Sequence, residues 1–526
     1  MNRELEDSKQ PVAWTIGGSD SSGGAGVQSD LKTMLALSVH GCSVITAVTA
    51  QNTKGVNFIE PVSPAILYQQ LCSLNDDLKP KAIKLGMLYS REIIAVVADF
   101  LEQTECFVVC DPVMVATSGD SLLQEHSLEL LKNRILPRVD LVTPNLFEAK
   151  VLTRNFTSAY LPGAKELSIE EEIEMQAEQI LALGPKRVLI KGGHSSGPFC
   201  QDCLVDRHSR WWLTSPRQNS GEVHGTGCTL SAAITASVAS GHSLLDSVVI
   251  AKAYVSREIK QATSLGSGSK ILVHSKTRFE QADLPSLTPD GIVDRHRLTF
   301  PEAEEIGLYA VLPGVKSLRR AINAGIKTAQ LRIKDLSPEG FKPSDEIRHG
   351  IELAKSAGCR LYINDHWQDA IKFGAYGVHL GQEDIKEADL EAIAAAGLRL
   401  GISTHCYSEV SRALAINPSY IAVGPIFPTT TKQMKFEPHG IKGFKFWRDI
   451  INFPLVAIGG IFLSNASQLL QAGADGIAVV RALEESQDYD ADVLTWHELL
   501  ATFGFNNLSD ASPFASKSHD APIRVS

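Results

Sequence analysis

Two stretches of this chain carry residues suited to phosphate chemistry, one in each half. The first is His224-Gly225-Thr226-Gly227-Cys228-Thr229, which opens a run of small and apolar residues able to form a helix. Backbone N–H groups at a helix start, uncrowded by side chains, bind anions with help from the helix dipole. Gly225, Thr226 and Gly227 would there receive the charge of a phosphoryl group in transfer. Cys228 stands where a general base could reach a substrate hydroxyl, and a helix N-terminus lowers a thiol's pKa. On these residues alone, a buried cysteine in a tight glycine turn explains the motif equally well. The second stretch is a set: Asn364-Asp365, residues 377–384 ending in Asp384, and residues 424–432 ending in Thr429-Thr430-Thr431-Lys432. Two carboxylates, Asp365 and Asp384, together with diphosphate oxygens would make an octahedral Mg²⁺ site. Such a site helps a diphosphate depart by neutralising the charge it acquires. A phosphorylated product of the first half could then be the substrate of the second.

The elements that must position these residues differ between the halves. In the first, short apolar runs at 12–16, 42–49, 82–85, 107–110, 140–143 and 187–190 read as buried strands. Amphipathic stretches such as 64–74 and 90–101 separate them, which predicts a mostly parallel sheet covered by helices on both faces. Ligands of such sheets sit beyond the carboxyl ends of the strands, where Asp111, Asn145 and Lys191 fall. In the second half, candidate strands at 308–312, 328–332, 360–363, 377–380, 398–402, 420–423, 455–458 and 476–480 leave room for intervening helices. Eight such units predict a TIM barrel, whose active sites lie at the C-terminal rim. Arg332, Lys334, Asp365, Asp384, Ser403, Lys432 and Gly460 all fall on that rim. A solvated rim of scattered charges is the plainer alternative. Periodicity fades between 275 and 305, where Pro285, Pro289 and Pro301 occur, so residues 276–304 are expected to form a linker. Residues 506–526 are expected to form a disordered tail.

Composition narrows the function classes. A chain of 526 residues needs at least two cores, and 44% hydrophobic with 21% charged residues is ordinary for a globular protein. A formal net charge of -10 offers no footprint for nucleic acid. No run approaches the roughly 20 apolar residues that cross a bilayer. The acidic start lacks a secretory h-region and transit-peptide character, so a cytoplasmic location is expected, or a plastid one if a leader has been removed. Nine cysteines are too sparse for a disulfide scaffold, and the lone Cys200/Cys203 pair reads as structural.

Further residues in the first half suit a kinase. Asp20, in the glycine-rich segment 17–26, could accept from a substrate hydroxyl or amine. Gln51 offers both a donor and an acceptor to an aminopyrimidine edge. Asp111 and Glu148 could hold Mg²⁺, and Lys191 supplies a cation for phosphates. Each of these also serves elsewhere as a capping or surface residue. Together with Gly18-Ser19-Asp20, Lys84-Leu85-Gly86-Met87-Leu88, Asp111-Pro112-Val113-Met114, Thr143-Pro144-Asn145-Leu146-Phe147-Glu148 and the His224–Thr229 motif, they give residues 14–274 a clear affinity. This region resembles the hydroxymethylpyrimidine and hydroxymethylpyrimidine-phosphate kinases of the ribokinase-like superfamily. The resemblance implies an αβα sandwich, ATP as co-substrate, and a pyrimidine pocket of Gly18, Asp20, Gln51, Met87 and Val113. It implies Cys228 as the base, where many ribokinase relatives carry Asp. Residues 267–274 lack that family's glycine-proline ending.

Residues 307–482 resemble thiamine-phosphate synthase. The matching pieces are Gln330-Leu331-Arg332-Ile333-Lys334, Asn364-Asp365, 377–384, Gly401-Ile402-Ser403-Thr404-His405, 424–432 and Ala457-Ile458-Gly459-Gly460-Ile461. The resemblance implies Gln330, Leu331, Arg332, Ile333, Lys334, Asn364, Ser403 and Lys432 on a pyrimidine diphosphate, and Mg²⁺ on Asp365 and Asp384. It places thiazole phosphate against Thr429, Thr430, Thr431, Gly460, Val480 and Arg481. Arg481 departs from the family's usual serine, and a guanidinium can pair with phosphate.

The expectation is therefore a kinase domain at 1–275 and a synthase barrel at 305–505. With Mg²⁺ and ATP they would act in turn on small molecules, with neither nucleic acid nor membrane as partner. A homo-oligomer is compatible with this reading. Three alternatives stay open on the residues alone. The first half could be a pyridoxal-type kinase, the barrel could be a thiazole tautomerase, or one half could be a non-catalytic ligand-binding module.

Overall fold

The computed structural model describes residues 10–115, 120, 122–154, 168–193, 197–276, 278–291, 298–333, 342–429 and 436–505. Lys334, Thr430, Thr431, Lys432 and the expected tail at 506–526 lie outside the described residues. The chain divides into two compact units, Met1–Arg295 with Cys406–Ala415, and His296–His405 with Ile416–Ser526.

The first unit is built on a ten-stranded sheet. Its order is Ser286–Thr288, Arg210–Pro216, Phe199–Val205, Val188–Ile190, Leu141–Val142, Phe107–Cys110, Ala82–Leu85, Val12–Asp20, His40–Asn52 and Gly55–Pro61. The six strands from Val188–Ile190 to His40–Asn52 pair in parallel. These central strands are continuous apolar runs because both faces are covered, and Trp14, Ile16, Val44, Ile83, Leu85 and Val109 are fully buried. Helices start where serine can cap them: Ser63, Ser90 and Ser168 each accept from a first-turn N–H. The chain leaves Val12–Asp20 toward one side of the sheet and returns to Ala82–Leu85 on the other. That reversal opens a crevice beyond the carboxyl ends of both strands.

The expected linker at 276–304 is corrected in part. Ser286–Thr288 is an edge strand, antiparallel to Arg210–Pro216. Leu284 and Leu287 are buried, and Asp283 accepts from Lys260 at 2.6 Å. Two flanking prolines hide this strand from a reading by periodicity, since neither can donate to a ladder.

The second unit is a closed parallel barrel of Gly307–Leu312, Thr328–Leu331, Arg360–Asn364, Gly377–Leu380, Arg399–Thr404, Tyr420–Val423, Leu455–Ile458 and Gly476–Val479. All eight expected strands are present, with ends shifted by two residues at most. Tyr309, Tyr362 and Tyr420 meet inside it, with ring centroids 5.3 to 6.0 Å apart. Room for them comes from glycine on adjacent strands. A Cβ on Gly401 would lie 2.1 Å from the Tyr420 ring, and one on Gly377 would lie 2.6 Å from that of Tyr362. Strand alternation turns Gln330 inward, to 3.2 Å from the Tyr309 hydroxyl. It turns Leu331 outward, where it faces Gly350 of helix Pro343–Ser356.

Candidate active sites

In the first unit, the residues expected to bind pyrimidine, ATP and phosphate, with Cys228, line one cavity of ≈ 690 Å³. Gly18, Asp20, Gln51, Met87 and Val113 share it with Asp111, Asn145, Glu148, Lys191, Gly225, Thr226, Gly227 and Cys228. Helix Thr226–Ala239 begins there with Gly225 in the left-handed region, φ +83°, and no side chain caps its first turn. A Cβ on Gly225 would come within 2.0 Å of the Gly24 carbonyl, so glycine is demanded both by conformation and by space. Lys191 and Asp111 lie over the same turn: a Cβ on Gly227 would stand 3.2 Å from the Lys191 ammonium.

Charge in the cavity is arranged around that ammonium. Lys191 donates to Asp111 at 2.7 Å and lies 3.9 Å from Glu148. Glu148 is the third residue of helix Leu146–Thr153, in a reciprocal capping box with Asn145. Burial, reinforced by Asp111 and opposed by Lys191, lifts its carboxyl to about 7. Asp20 accepts from Ser22 and from the N–H groups of Gly24 and Ala25. Burial works against its charge, but His224, Ser22 and Ala25 prevail and hold it at about 2. Its oxygens shape the loop, so positioning explains Asp20 better than direct acceptance from a substrate. His224, to which the sequence motif assigns no role, links Asp20 at 3.6 Å to Gln51 at 2.9 Å.

The expected low pKa of Cys228 is reversed. Burial pushes the thiol up to about 11, and the carboxylates of Asp30 and Asp111 add to it. The Lys84 ammonium and the Gly26 N–H pull the other way without prevailing. Lys84 and Asp30 are 2.7 Å apart and 1% exposed, an ion pair that no spacing in the sequence announces.

In the barrel, Asp384 and Arg332 both act on Asp365, and Ser403 reaches His379 beneath them. Asp365 sits at φ +62°, a strained conformation for a non-glycine residue, and its carboxylate accepts from the Asn364 amide. Burial, then the charge of Asp384 and a hydrogen bond with it, lifts Asp365 to about 6, while Arg332 and His366 pull it down. Leu331 and Ile333 are buried. Leu331 packs between strand and helix, so its side chain is withdrawn from the site. Gly460 brings two rim loops together, since a Cβ there would lie 2.7 Å from the carbonyl of Pro428, next to Thr429. Val480 precedes the turn Arg481–Glu484, and the Arg481 guanidinium lies 5.7 Å from the Phe462 ring.

Beneath the rim, Tyr309 and Tyr420 share a 2.8 Å hydrogen bond. His379 Nδ1 lies 2.7 Å from the Tyr420 hydroxyl, and its Nε2 lies 2.8 Å from Ser403 Oγ. Burial, aided by Arg332, lowers His379 to about 4, so the ring is neutral. Sequence reasoning missed Tyr309, Tyr420 and His379. Inward parity of polar residues on neighbouring strands is the signal that could have found them.

No group of three or more His, Cys, Asp or Glu side chains gathers into a metal cage among the described residues. The available donor sets are the pairs Asp111/Glu148 and Asp365/Asp384. Crowded carboxylate pairs that complete their shell with substrate phosphates suit Mg²⁺, so both sites fit that ion. No helix among the described residues is long and apolar enough to cross a membrane.

Comparison with known proteins gives two family matches, phosphomethylpyrimidine kinase over residues 20–273 and thiamine monophosphate synthase over residues 309–483. A thiamine biosynthetic bifunctional enzyme of Arabidopsis thaliana, chloroplastic by its name, is 34% identical over 90% of this chain and 90% of its own. A hydroxymethylpyrimidine/phosphomethylpyrimidine kinase of Rhizobium meliloti is 46% identical over 49% of this chain and 93% of its own. A thiamine-phosphate synthase of Serratia proteamaculans is 49% identical over 36% of this chain and 91% of its own.

Proposed function

Because the chain belongs to the bifunctional thiamine-biosynthetic enzymes that join a phosphomethylpyrimidine kinase to a thiamine monophosphate synthase, we propose how its side chains divide the work. The activities themselves follow from that membership. One half phosphorylates 4-amino-5-hydroxymethyl-2-methylpyrimidine and then its phosphate. The other condenses the diphosphate with 4-methyl-5-(2-phosphoethyl)thiazole to thiamine phosphate. The pyridoxal-kinase, tautomerase and sensor alternatives are not favoured. We assign the kinase to residues 1–275, with Ser286–Thr288 as an added edge strand, and the synthase to residues 305–505.

In the kinase, ATP supplies the phosphoryl group. Gly18, Gln51, Met87 and Val113 hold the pyrimidine, with Asp20 and His224 setting the loop and the Gln51 amide. Cys228 Sγ takes the hydroxymethyl proton as the new O–P bond forms and the β–γ bond of ATP breaks. The N–H groups of Thr226 and Gly227, with Lys191, receive the transferring charge, and Asn145 helps hold Glu148 in place. Mg²⁺ held by Asp111 and Glu148 would neutralise ATP phosphates there. In the synthase, Gln330, Arg332, Asn364 and Ser403 bind the pyrimidine diphosphate, and Lys334 and Lys432 add charge to its phosphates. Asp365 and Asp384 would hold the Mg²⁺ that offsets the leaving diphosphate. Thr429, Thr430, Thr431, Gly460, Val480 and Arg481 hold the thiazole phosphate. Its ring nitrogen attacks the pyrimidine methylene carbon as the C–O bond to diphosphate breaks, and positioning supplies much of the acceleration. A plastid location is compatible with the name of the Arabidopsis relative.

The observation that carries this assignment is the convergence of every kinase candidate on one cavity at the start of helix Thr226–Ala239. For the synthase, Asp384→Asn tests the metal pair. Its Mg²⁺ requirement should rise and its rate fall by orders of magnitude, with kinase turnover unchanged. Wild-type rate and Mg²⁺ dependence would remove Asp384 from the site.

A further inference from the structure

Five buried or half-buried side chains on different barrel strands form one hydrogen-bond chain. Gln330 Nε2 is 3.2 Å from Tyr309 Oη, which is 2.8 Å from Tyr420 Oη. Tyr420 Oη is 2.7 Å from His379 Nδ1, and His379 Nε2 is 2.8 Å from Ser403 Oγ. Its two ends are residues assigned above to the pyrimidine diphosphate, and the inference rests on that reading. Its three middle members, Tyr309, Tyr420 and His379, are each 5% exposed or less.

Each middle group has one proton to give along the chain, a hydroxyl hydrogen or one N–H of an imidazole whose two ring nitrogens both face hydroxyls. Buried donors and acceptors left unmatched are costly, so the protons must all point the same way. In one polarity Gln330 donates its amine to Tyr309, Tyr309 donates to Tyr420, Tyr420 to His379 Nδ1, and His379 Nε2 to Ser403. The Ser403 hydroxyl then donates outward, and Gln330 turns its carbonyl away from Tyr309. In the opposite polarity a half-turn of the Gln330 amide makes Oε1 the acceptor from Tyr309. Ser403 then spends its proton on His379 and faces outward only as an acceptor, while Gln330 turns its amine outward. The two ends are therefore coupled, although they sit on different strands.

A diphosphate offers acceptors alone, so it demands the first polarity at Ser403. That polarity leaves Gln330 presenting a carbonyl, which accepts from an exocyclic amine and repels an oxo group. We propose that Tyr309, Tyr420 and His379 are positioning residues that couple diphosphate recognition at Ser403 to selection of an aminopyrimidine over an oxopyrimidine at Gln330. Diphosphate binding at one end fixes the hydrogen-bonding face shown to the ring at the other.

The test uses the full chain, with synthase turnover on the aminopyrimidine diphosphate and competitive inhibition by its 4-oxo counterpart. The wild type should bind the 4-oxo compound about a hundredfold more weakly than the amino compound. Tyr309→Phe releases Gln330 and should narrow that ratio about tenfold. Tyr420→Phe should lower kcat about tenfold, and should cost nothing further in a Ser403→Ala background, because both changes act through the same hydroxyl. Tyr362→Phe, in the same aromatic layer but outside the chain, should leave the ratio and kcat at wild-type values. Kinase turnover and the circular dichroism spectrum of each variant report that the protein is folded. An unchanged inhibition ratio in Tyr309→Phe would overturn the coupling. So would a Tyr420→Phe loss that adds in full to that of Ser403→Ala, since a loosened barrel explains it. If Ser403→Ala and Gln330→Ala themselves leave the synthase intact, the substrate assignment fails, and the coupling with it.

Discussion

Replacing Cys228 by aspartate should change the pH dependence of the kinase more than its fold. The thiol sits at about 11, raised by burial and by Asp30 and Asp111. At pH 7 about one molecule in 10⁴ then carries the thiolate that can accept a proton. If the resting thiolate is the base, kcat/KM for the pyrimidine alcohol should climb about tenfold per pH unit from pH 7 to 9.5. It should level only as the thiol itself titrates. A carboxylate at 228 is ionised throughout this window, so Cys228→Asp should give a flat profile. Any slope it shares with the wild type belongs to ATP or to other groups. Cys228→Ala should lose most turnover at every pH. The assay is pyrimidine phosphate formation at saturating Mg-ATP, measured chromatographically across that pH range. A flat wild-type profile beside an inactive Cys228→Ala would refute the reasoning, because the thiol would then be acting without the ionisation cost that its surroundings impose.

Other expectations follow from packing and charge. Lys84→Met leaves Asp30 buried without its cation, which should destabilise the first unit by about 3–5 kcal/mol in urea denaturation. Gly401→Ala drives a methyl into the Tyr420 ring and should abolish most synthase turnover while pyrimidine phosphorylation continues. His274 is lowered to about 4 by burial, with Lys32 adding to it and Glu258 opposing. The unfolded chain therefore takes up a proton there below about pH 6.5 that the folded chain refuses. Stability from this group is present above pH 6.5 and is lost as pH falls toward 4, by about 1 kcal/mol per unit after allowing for partial exposure. His274→Asn, which tolerates φ +59°, should flatten that slope; an unchanged acid slope would assign it to carboxylates.

The barrel was readable because each strand is a short apolar run closed by a polar rim residue, and closure leaves no edge strand to disguise. The kinase candidates were readable for the same reason, since Asp111, Asn145 and Lys191 each follow a buried strand. What escaped depends on contacts between distant residues. Ser286–Thr288 is too short to show a period and becomes a strand only by pairing with Arg210–Pro216. The Cys228 thiol was misjudged because a helix start argues for a low pKa, whereas Asp30, Asp111 and burial reach it only in the fold. Leu331 was swept into the site by its motif, although strand alternation turns it outward. Tyr309 and Tyr420 carry no motif of their own, His379 lies inside one that assigns it no role, and only barrel closure brings the three into line.

The central claim is that one chain holds two separate sites acting in sequence, and complementation between two inactivated chains tests it most directly. Supplied with pyrimidine alcohol, Mg-ATP and thiazole phosphate, Cys228→Ala alone and Asp384→Asn alone should each make little or no thiamine phosphate. An equimolar mixture should make it, as pyrimidine diphosphate from the second chain reaches the synthase of the first. Full product from either variant alone, or none from a mixture of two folded variants, would contradict the account.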